Sequence, residues 1–239
     1  MIPKIIHYCW LSNDPVPQDL LDYMKTWKEK LIDYEFILWN FDRFDKSSSK
    51  WVAEAFDNKK YAFAADYIRL YALYNYGGIY MDMDIEVIKS FDPLLNSQLM
   101  LAYEDPEKSG IEAGCMEAEK GNSVIKECLD YYENRSFIKE DGTFDTLVLP
   151  KIMYSYVSRH PELTIYEKDF FTAKSLKNGE IQKTKQTYTV HHFAGSWCTP
   201  AYKQMMKEKQ EIARKYKNPI IRFVLCKFVV LKKIIKDRK

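Results

Sequence analysis

The chain has 239 residues, 46% of them hydrophobic, which is enough to bury one sizeable core. Its formal net charge of +2 gives no general electrostatic case for nucleic-acid binding. Five dispersed cysteines without a C-x-x-C pair favour reduced thiols in a cytoplasm over a disulfide framework or a zinc site, and we find no secretion signal and no apolar run long enough to span a membrane.

The beginning of the chain has the pattern strand, helix, strand. A short apolar segment at residues 2–10 predicts a buried strand that ends at an Asn-Asp-Pro turn. Apolar residues at helical spacing predict a helix at residues 20–31, and a second strand is predicted at residues 34–39. This order is typical of an α/β nucleotide-binding half.

The next segments differ in how clearly they can be assigned. Residues 41–60 are polar and predict a loop with a short helix. A 3.6-residue apolar period predicts a helix at residues 61–76, which a Gly-Gly pair ends. A strand is predicted at residues 79–88, whereas residues 99–190 alternate short apolar runs with polar turns and remain unassigned.

The last 21 residues combine apolar and basic side chains. On a helical wheel most of the basic residues at 219–239 fall on one side, which predicts an amphipathic helix. Such a helix lies either on an anionic membrane surface or on the core of its own protein, and both interpretations stay open. The predicted organisation is one catalytic domain at residues 1–218 followed by this helix.

Two carboxylates are the most informative feature. Asp82 and Asp84 are two residues apart, so both would face the same side of an extended strand. Their apolar neighbours make an uncompensated pair costly, and a hard divalent cation such as Mg²⁺ or Mn²⁺ would neutralise it while leaving positions for phosphate oxygens. The alternative is a structural ion pair with Arg69 or a lysine.

The preceding helix carries a second charged pair. Asp66 and Arg69 are three residues apart and therefore share a helix face. Because apolar residues surround them, they can point into a site where Asp66 accepts hydrogen bonds from sugar hydroxyls and Arg69 faces anionic oxygens. A simple intrahelical ion pair is the alternative.

A third group of candidates lies near residue 195. His191-His192 offers an imidazole as a further metal ligand. Ser196 and Trp197 can donate hydrogen bonds to a phosphate. A histidine pair alone is more often structural or exposed, so the nearby Ser and Trp carry this prediction.

Together these motifs resemble the DXD-type sugar transferases of glycosyltransferase family 32. That family includes yeast α-1,6-mannosyltransferases and bacterial capsule and surface-polysaccharide enzymes, and the glucosylating domain of large clostridial toxins is a more distant relative. Four segments carry the resemblance, in family order and over about residues 1–200: residues 2–10, 64–69, 77–84 and 191–197. The resemblance implies a GT-A fold, which is a mixed, mainly parallel α/β sheet with helices on both faces.

The resemblance also implies roles in binding the donor. Trp10 corresponds to the residue that stacks on the donor base. Leu38 and Asn40 correspond to positions near the nucleoside. Asp66 and Arg69 match the pair that holds the donor sugar.

Further implied roles concern the metal and the diphosphate. Asp82 matches the position near the ribose and the metal, and Asp84 matches the direct metal ligand. His192 lies five residues before Trp197, where relatives place a metal ligand. Ser196 and Trp197 would then contact the diphosphate.

The chain departs from the family pattern at two places. Glu112 stands where relatives often have Asn, which leaves the contact to the donor sugar or acceptor at this place open. The usual Gly-Gly after the first-strand Trp is replaced by Leu-Ser-Asn. The family expectation is front-side attack with retention of configuration, and Asp66 and Glu112 are the possible covalent nucleophiles.

The predicted function is a retaining transfer of a hexose from UDP-galactose or UDP-glucose, with Mn²⁺ or Mg²⁺, to a polysaccharide or lipid-linked glycan in surface polysaccharide synthesis. GDP-mannose is the alternative donor. The predicted location is the cytoplasm, with possible attachment to the inner membrane surface. Other readings are a phosphotransferase with an aspartate nucleophile and a non-catalytic protein that binds sugar nucleotides or associates with a membrane.

Overall fold

The structure, a computed structural model, describes residues 1–195 and 200–237. It divides into two compact units. The larger unit comprises Met1–Ala173 and Lys183–His192, and the smaller unit comprises Lys174–Gln182 and Phe193–Lys239. The predicted domain boundary after residue 218 stays a prediction.

The described residues form short strands and longer helices. The strands are β1 Ile5–Cys9, β2 Glu35–Trp39, β3 Gly78–Met81, β4 Ile85–Val87, β5 Leu99–Ala102, β6 Cys115–Ala118, β7 Ile165–Tyr166 and β8 Thr189–His191. The helices are α1 Gln18–Lys30, α2 Lys50–Asp57, α3 Tyr61–Tyr76, α4 Ser123–Asp130, α5 Leu149–Val157, α6 Pro200–Lys215 and α7 Pro219–Asp237. The predictions of β1, α1, β2, α2, α3 and α7 are confirmed, and α3 has the predicted bounds.

The main sheet has the strand order β2-β1-β3-β6-β5-β7. β1 pairs in parallel with β2 and β3, and β5 pairs in parallel with β7. β6 is antiparallel to both of its neighbours. The sheet is therefore mixed and mainly parallel, as predicted. β2 and β3 lie on opposite sides of β1. Ligands of such sheets bind in the crevice at the carboxyl ends of these strands.

Helices cover both faces of this sheet, as predicted. Successive residues of a strand point to opposite faces. On one face, the Tyr8 ring of β1 packs edge-on against Trp27 of α1, with 5.7 Å between the ring centroids. On the other face, the neighbouring His7 contacts Tyr76 of α3 at 6.2 Å.

The structure divides the strand predicted at residues 79–88 into two, so the prediction of one continuous strand is wrong. β3 ends at Met81, and the chain turns before β4, which pairs with β8 in a separate two-stranded sheet. The Ile85 N–H donates to the Asp82 carbonyl at 3.1 Å and closes this turn. The alternation of aspartates with buried Met81, Met83 and Ile85 resembles a continuous strand, although a turn produces it here.

The Gly-Gly pair between α3 and β3 is required by close backbone packing. Gly77 has φ +69° and Gly78 has φ +111°, a region that side chains disfavour. A Cβ at Gly78 would lie 2.6 Å from the Ile5 carbonyl oxygen of β1. The His7 imidazole hydrogen-bonds the Gly77 carbonyl at 2.8 Å, so a side chain of β1 also holds the segment between α3 and β3 in place.

The smaller unit contains the last two helices. α6 and α7 pack against each other, and the Gln210 side chain of α6 donates to the Leu176 carbonyl at 3.2 Å. Within the described residues, no helix combines the length and the apolar character needed to cross a bilayer.

Candidate active site

Asp82, Asp84 and His191 form a compact cluster. Each offers one ligand atom, and these atoms lie within 4.8 Å of one another. The turn after β3 supplies both carboxylates, and the pairing of Ile85 in β4 with His191 in β8 brings the imidazole beside Asp84. The His191 Nε2 atom lies 3.4 Å from Asp84 Oδ1.

The chemistry and the space of this cluster fit a divalent cation. Two carboxylates and one imidazole suit Mn²⁺, and the carboxylates suit Mg²⁺. Gly114 leaves the space open, because a Cβ there would lie 2.7 Å from His191 Cε1, 2.8 Å from Glu112 Oε1 and 3.0 Å from Asp82 Oδ2. The Asp82 side chain is 29% exposed, so an ion can reach it from solvent.

Arg69 joins the predicted acidic residues. Its guanidinium contacts Asp66 Oδ1 at 3.3 Å and both Asp82 oxygens at 3.3 Å, and it donates to the Ala113 carbonyl at 2.7 Å. Its carbon Cζ lies 4.6 Å from the centre of the Tyr80 ring. Both ion pairs that the sequence left as alternatives are therefore present, yet Asp82 also belongs to the cluster with Asp84.

The environment of Asp66 changes its protonation. Burial raises the pKa of Asp66 to about 7, and Asp82 adds to the rise while Arg69 opposes it. A carboxyl group that titrates near neutrality can both donate and accept hydrogen bonds. This property suits contact with sugar hydroxyls.

Tyr80 is a neighbour that the sequence did not single out. Its hydroxyl donates to Asp82 Oδ1 at 2.8 Å, and burial raises the pKa of Tyr80 well above its usual range. Tyr80 and Asp82 are two residues apart at the end of β3, and residues at this spacing in a strand point to the same side. The spacing could therefore have indicated that Tyr80 lies beside Asp82.

Glu112 is fixed immediately behind His191. It is 1% exposed, and its Oε1 accepts from the Gly114 N–H at 2.6 Å and lies 3.0 Å from His191 Nδ1. The Thr172 hydroxyl donates to Oε2. Burial alone would raise the pKa of Glu112, but His191 and these hydrogen bonds lower it.

His191 lies between two carboxylates. Burial opposes its protonation, yet Glu112 and Asp84 raise the pKa of His191 well above its usual range. In this structure the neighbour, His192, faces elsewhere: its Nε2 lies 2.8 Å from Glu86 Oε2, and its ring stacks on Tyr23 at 4.2 Å. His191 is thus the histidine brought to the aspartates, and the metal role predicted for His192 stays a prediction.

The predicted base-binding residues lie at the carboxyl ends of β1 and β2. The backbone N–H of Trp10 donates to the Trp39 carbonyl at 3.2 Å, which keeps the two strand ends together. Leu38 and Asn40 flank this point, and all three predicted residues are half-buried. Their contacts to a base or nucleoside stay predictions. The predicted diphosphate contacts, Ser196 and Trp197, lie outside the described residues.

Glu104 is a further acidic group that the sequence did not identify. It follows β5, in a region without a usable period. Burial raises the pKa of Glu104 to about 7, Glu112 raises it further, and His191 opposes the rise. β5 runs in the same direction as β3, so the end of β5 lies at the same edge of the sheet as the end of β3. Assignment of β5 from the sequence would therefore have indicated Glu104 as a candidate.

Comparisons with known proteins find a family region that includes the two aspartates. Residues 17–101 match the family model described as "Glycosyltransferase sugar-binding region containing DXD motif". The match contains Asp66, Arg69, Asp82 and Asp84.

Two curated relatives have names that refer to mannosyl groups. Inositol phosphoceramide mannosyltransferase 3 of Schizosaccharomyces pombe is 34% identical over 128 residues, which cover 52% of this chain and 35% of the relative. Mannosyl phosphorylinositol ceramide synthase SUR1 of Saccharomyces cerevisiae is 33% identical over 114 residues, or 44% of this chain and 28% of the relative. The chain spans about a third of the length of these relatives.

Solved structures share the fold at low sequence identity. PaToxG Glycosyltransferase aligns with a TM-score of 0.50 and 16% identity, covering 67% of this chain and 70% of that one. The apo form of glycosyltransferase GlyE of Streptococcus pneumoniae TIGR4 aligns with a TM-score of 0.51 and 10% identity. The alignment covers 98% of this chain and 61% of that one. Residues 17–101 therefore match the DXD-containing sugar-binding region of glycosyltransferases, and the chain has the predicted GT-A fold.

Proposed function

We propose that this chain is a retaining, metal-dependent mannosyltransferase that uses GDP-mannose. The observation that carries the proposal is the convergence of Asp82, Asp84 and His191 next to the Arg69 guanidinium. This arrangement places negative ligands for a cation beside a fixed positive group, as a sugar diphosphate requires.

Different residues would bind the cation, the diphosphate and the donor sugar. Asp82, Asp84 and His191 would hold Mn²⁺ or Mg²⁺, which supplies positive charge to the donor diphosphate. Arg69 would stabilise the charge that develops on the leaving phosphate oxygen. Asp66 would hydrogen-bond the hydroxyls of the donor sugar.

The nucleoside would lie against β1 and β2. Trp10 would stack on the base, and Leu38 and Asn40 would flank the nucleoside. Ser196 and Trp197, known from the sequence alone, would donate hydrogen bonds to the diphosphate. Retention is part of the proposal because the family resemblance implies it.

The relatives favour mannose over the UDP-hexose that we favoured from the sequence. Both relatives described above carry a mannosyl activity in their names. Their names also mention inositol phosphoceramide and mannosyl phosphorylinositol ceramide. We therefore propose an acceptor hydroxyl on a lipid-anchored head group, such as a phosphorylated polyol or a glycan.

A donor screen with the purified chain tests this proposal. GDP-mannose with Mn²⁺ should release GDP, EDTA should stop the release, and product analysis should give the α-anomer. Asp84→Asn should lower turnover by about 100-fold or more, because it removes a charged ligand. Asp130→Asn, an equal change at an exposed aspartate of α4, should leave turnover unchanged.

Each alternative predicts a different result. Turnover of UDP-galactose or UDP-glucose without turnover of GDP-mannose would reject the donor assignment alone. Absence of release from every donor, or full activity in EDTA, would reject the metal-dependent transferase.

We also propose that α7 holds the protein at an anionic membrane surface, which would bring the site near a lipid-anchored acceptor. The apolar side chains on its surface are large and exposed: Ile220 72%, Ile221 44%, Phe223 61%, Val224 44%, Phe228 58% and Leu231 51%. They fall within one side of a helical wheel, whereas Val229 on the opposite side is buried.

The charge around this helix complements anionic lipid. Residues 212–236 contain eight Lys or Arg residues and no Asp or Glu, although the whole chain has a net charge of only +2. Each basic residue near an anionic leaflet adds about 1 kcal/mol of attraction. The cytoplasmic leaflet is the anionic one, so a peripheral position on the cytoplasmic side is part of this proposal.

Vesicle flotation tests the membrane proposal. The chain should float with vesicles of phosphatidylserine and phosphatidylcholine at low salt, and less in pure phosphatidylcholine or high salt. The double variant Phe223→Ser/Phe228→Ser should lose flotation, whereas Ile32→Ser, which changes an 82% exposed residue of the larger unit, should keep it. Failure to float, or a stable dimer that the double variant converts to a monomer, would reject the proposal.

A further inference from the structure

We infer that Glu112 is a positioning residue that presents the imidazole of His191 to the cation of the proposed transferase. The inference rests on the proposed function and adds a residue that the family resemblance does not supply, since relatives often have Asn there. It also replaces the open possibility that Glu112 acts as a covalent nucleophile.

The hydrogen bond between Glu112 and His191 determines which nitrogen faces the cluster. Oε1 of Glu112 accepts from the Gly114 N–H and Oε2 accepts from the Thr172 hydroxyl. The carboxyl group therefore presents an acceptor to His191, and Nδ1, 3.0 Å from Oε1, carries the hydrogen of this contact. The other ring nitrogen, Nε2, then faces Asp84 at 3.4 Å. A carboxylate behind a ligating histidine fixes the ring orientation and increases the basicity of the ligand.

Glu112 is itself held in place from three directions. The Gly114 N–H and the Thr172 hydroxyl donate to its two oxygens, and the backbone N–H of Glu112 donates to the Ala102 carbonyl of β5 at 2.9 Å. The side chain is 1% exposed, and both oxygens are occupied. These contacts suit a fixed support and oppose attack on a sugar carbon.

Gly114 provides an independent sign that the cluster is built for close approach. A Cβ at this position would contact His191, Glu112 and Asp82 together, at 2.7 to 3.0 Å. Only a residue without a side chain allows these three groups to converge from separate parts of the fold.

Glu112→Gln isolates the charge from the shape. In the variant, Oε1 can still accept from the Gly114 N–H and from His191 Nδ1, and the new amide can donate to the Thr172 hydroxyl. The hydrogen-bond geometry is thus retained, while the negative charge behind the imidazole is lost.

A matched control exists in the same part of the sheet. Glu117, in β6, is also a fully buried glutamate, and within the described residues neither of its oxygens has a hydrogen-bond partner. Glu117→Gln therefore makes the same chemical change outside the metal cluster.

The experiment is a Mn²⁺ titration of the full chain without donor, with free Mn²⁺ measured by electron paramagnetic resonance. We expect Glu112→Gln to weaken the Mn²⁺ Kd by about 10-fold to 100-fold and Glu117→Gln to leave it unchanged. Thermal unfolding in EDTA checks that both variants fold. If Glu112→Gln does not fold, Thr172→Val takes its place and should also weaken the Kd.

The outcomes separate this inference from the proposed function. An unchanged Kd in Glu112→Gln, or an equal loss in Glu117→Gln, would overturn the positioning role. If Asp84→Asn also keeps the wild-type Kd, the proposed metal site itself is rejected. A loss in Asp84→Asn together with an unchanged Glu112→Gln rejects the inference alone.

Discussion

At the residue scale, the Arg69 guanidinium is the group that connects α3 to the carboxylates. It contacts Asp66, Asp82 and the Ala113 carbonyl at the same time. A planar group with five donors can make these contacts together, whereas a lysine ammonium is a compact charge on a flexible stem. The charge alone would therefore not reproduce the function of Arg69.

This difference predicts the effect of Arg69→Lys. We expect kcat/KM for the donor to fall by about 100-fold, on the scale of losing one preorganised donor to a transition-state charge. Arg135→Lys makes the same change at an arginine that pairs with Asp145 on the surface, and it should leave donor turnover unchanged. Wild-type turnover in Arg69→Lys would contradict a role for the guanidinium fork.

Glu117 predicts an unusual dependence of stability on pH. Burial raises the pKa of Glu117 well above its usual value of 4.5. Above pH 4.5 the unfolded chain releases this proton while the folded chain keeps it, so the native state binds more protons and the free energy of unfolding falls as pH rises. The fall is about 1.4 kcal/mol per pH unit until the folded pKa is passed.

Glu117→Gln should remove this term. We expect a higher melting temperature than wild type at pH 7, and a difference that shrinks as the pH is lowered toward 4.5. Calorimetry across this pH range measures it. A difference that stays constant with pH would show that the carboxyl is already ionised in the folded chain.

The four charged residues that the structure brings together were more evident in the sequence than the histidine that lies beside them. Asp82, Asp84, Asp66 and Arg69 lie in two dense motifs, and the structure brings all four together. The choice between two adjacent histidines depends on which way a short strand turns its side chains. No periodicity within three residues of β8 carries that information.

At the element scale, long periodic segments and the two five-residue strands β1 and β2 were predictable, whereas the shorter strands were not. α3 spans 16 residues, which is enough for several turns of apolar repeat. β7 spans two residues and β5 and β6 span four each, too few for an alternation that differs from chance. The strand predicted through Asp82 and Asp84 failed for a related reason, because a turn with a buried Met83 preserves the alternation.

The passage from α3 to β3 makes Gly78 a stability position. We expect Gly78→Ala to destabilise the fold by about 2 kcal/mol or more, because the new Cβ meets the Ile5 carbonyl oxygen at 2.6 Å in addition to the unfavourable φ. Chemical denaturation measures the change. Gly142→Ala also has a positive φ, +80°, but nothing lies within 4 Å of its Cβ, so it should cost less. Equal losses would show that the close approach to β1 is relieved without cost.

At the scale of the whole molecule, the cluster and its supporting residues all lie in the larger unit. Removal of residues 219–239 should therefore leave the Mn²⁺ Kd unchanged and abolish vesicle flotation, if the predicted boundary after residue 218 is correct. The Mn²⁺ titration and the flotation assay measure the two effects. Loss of Mn²⁺ binding in a shortened chain with a native circular dichroism spectrum would contradict the boundary.

The pairing of β4 with β8 also determines when the candidate site can form during synthesis. Glu86 and His192, which hydrogen-bond beside the cluster, are 106 residues apart in the sequence. During synthesis on the ribosome, the two aspartates emerge long before the histidines, and contacts of this separation form late because a long loop must close first. A nascent chain halted before residue 191 would contain the acidic turn without its imidazole partner, so the proposed cation binding should appear only after β8 has been made.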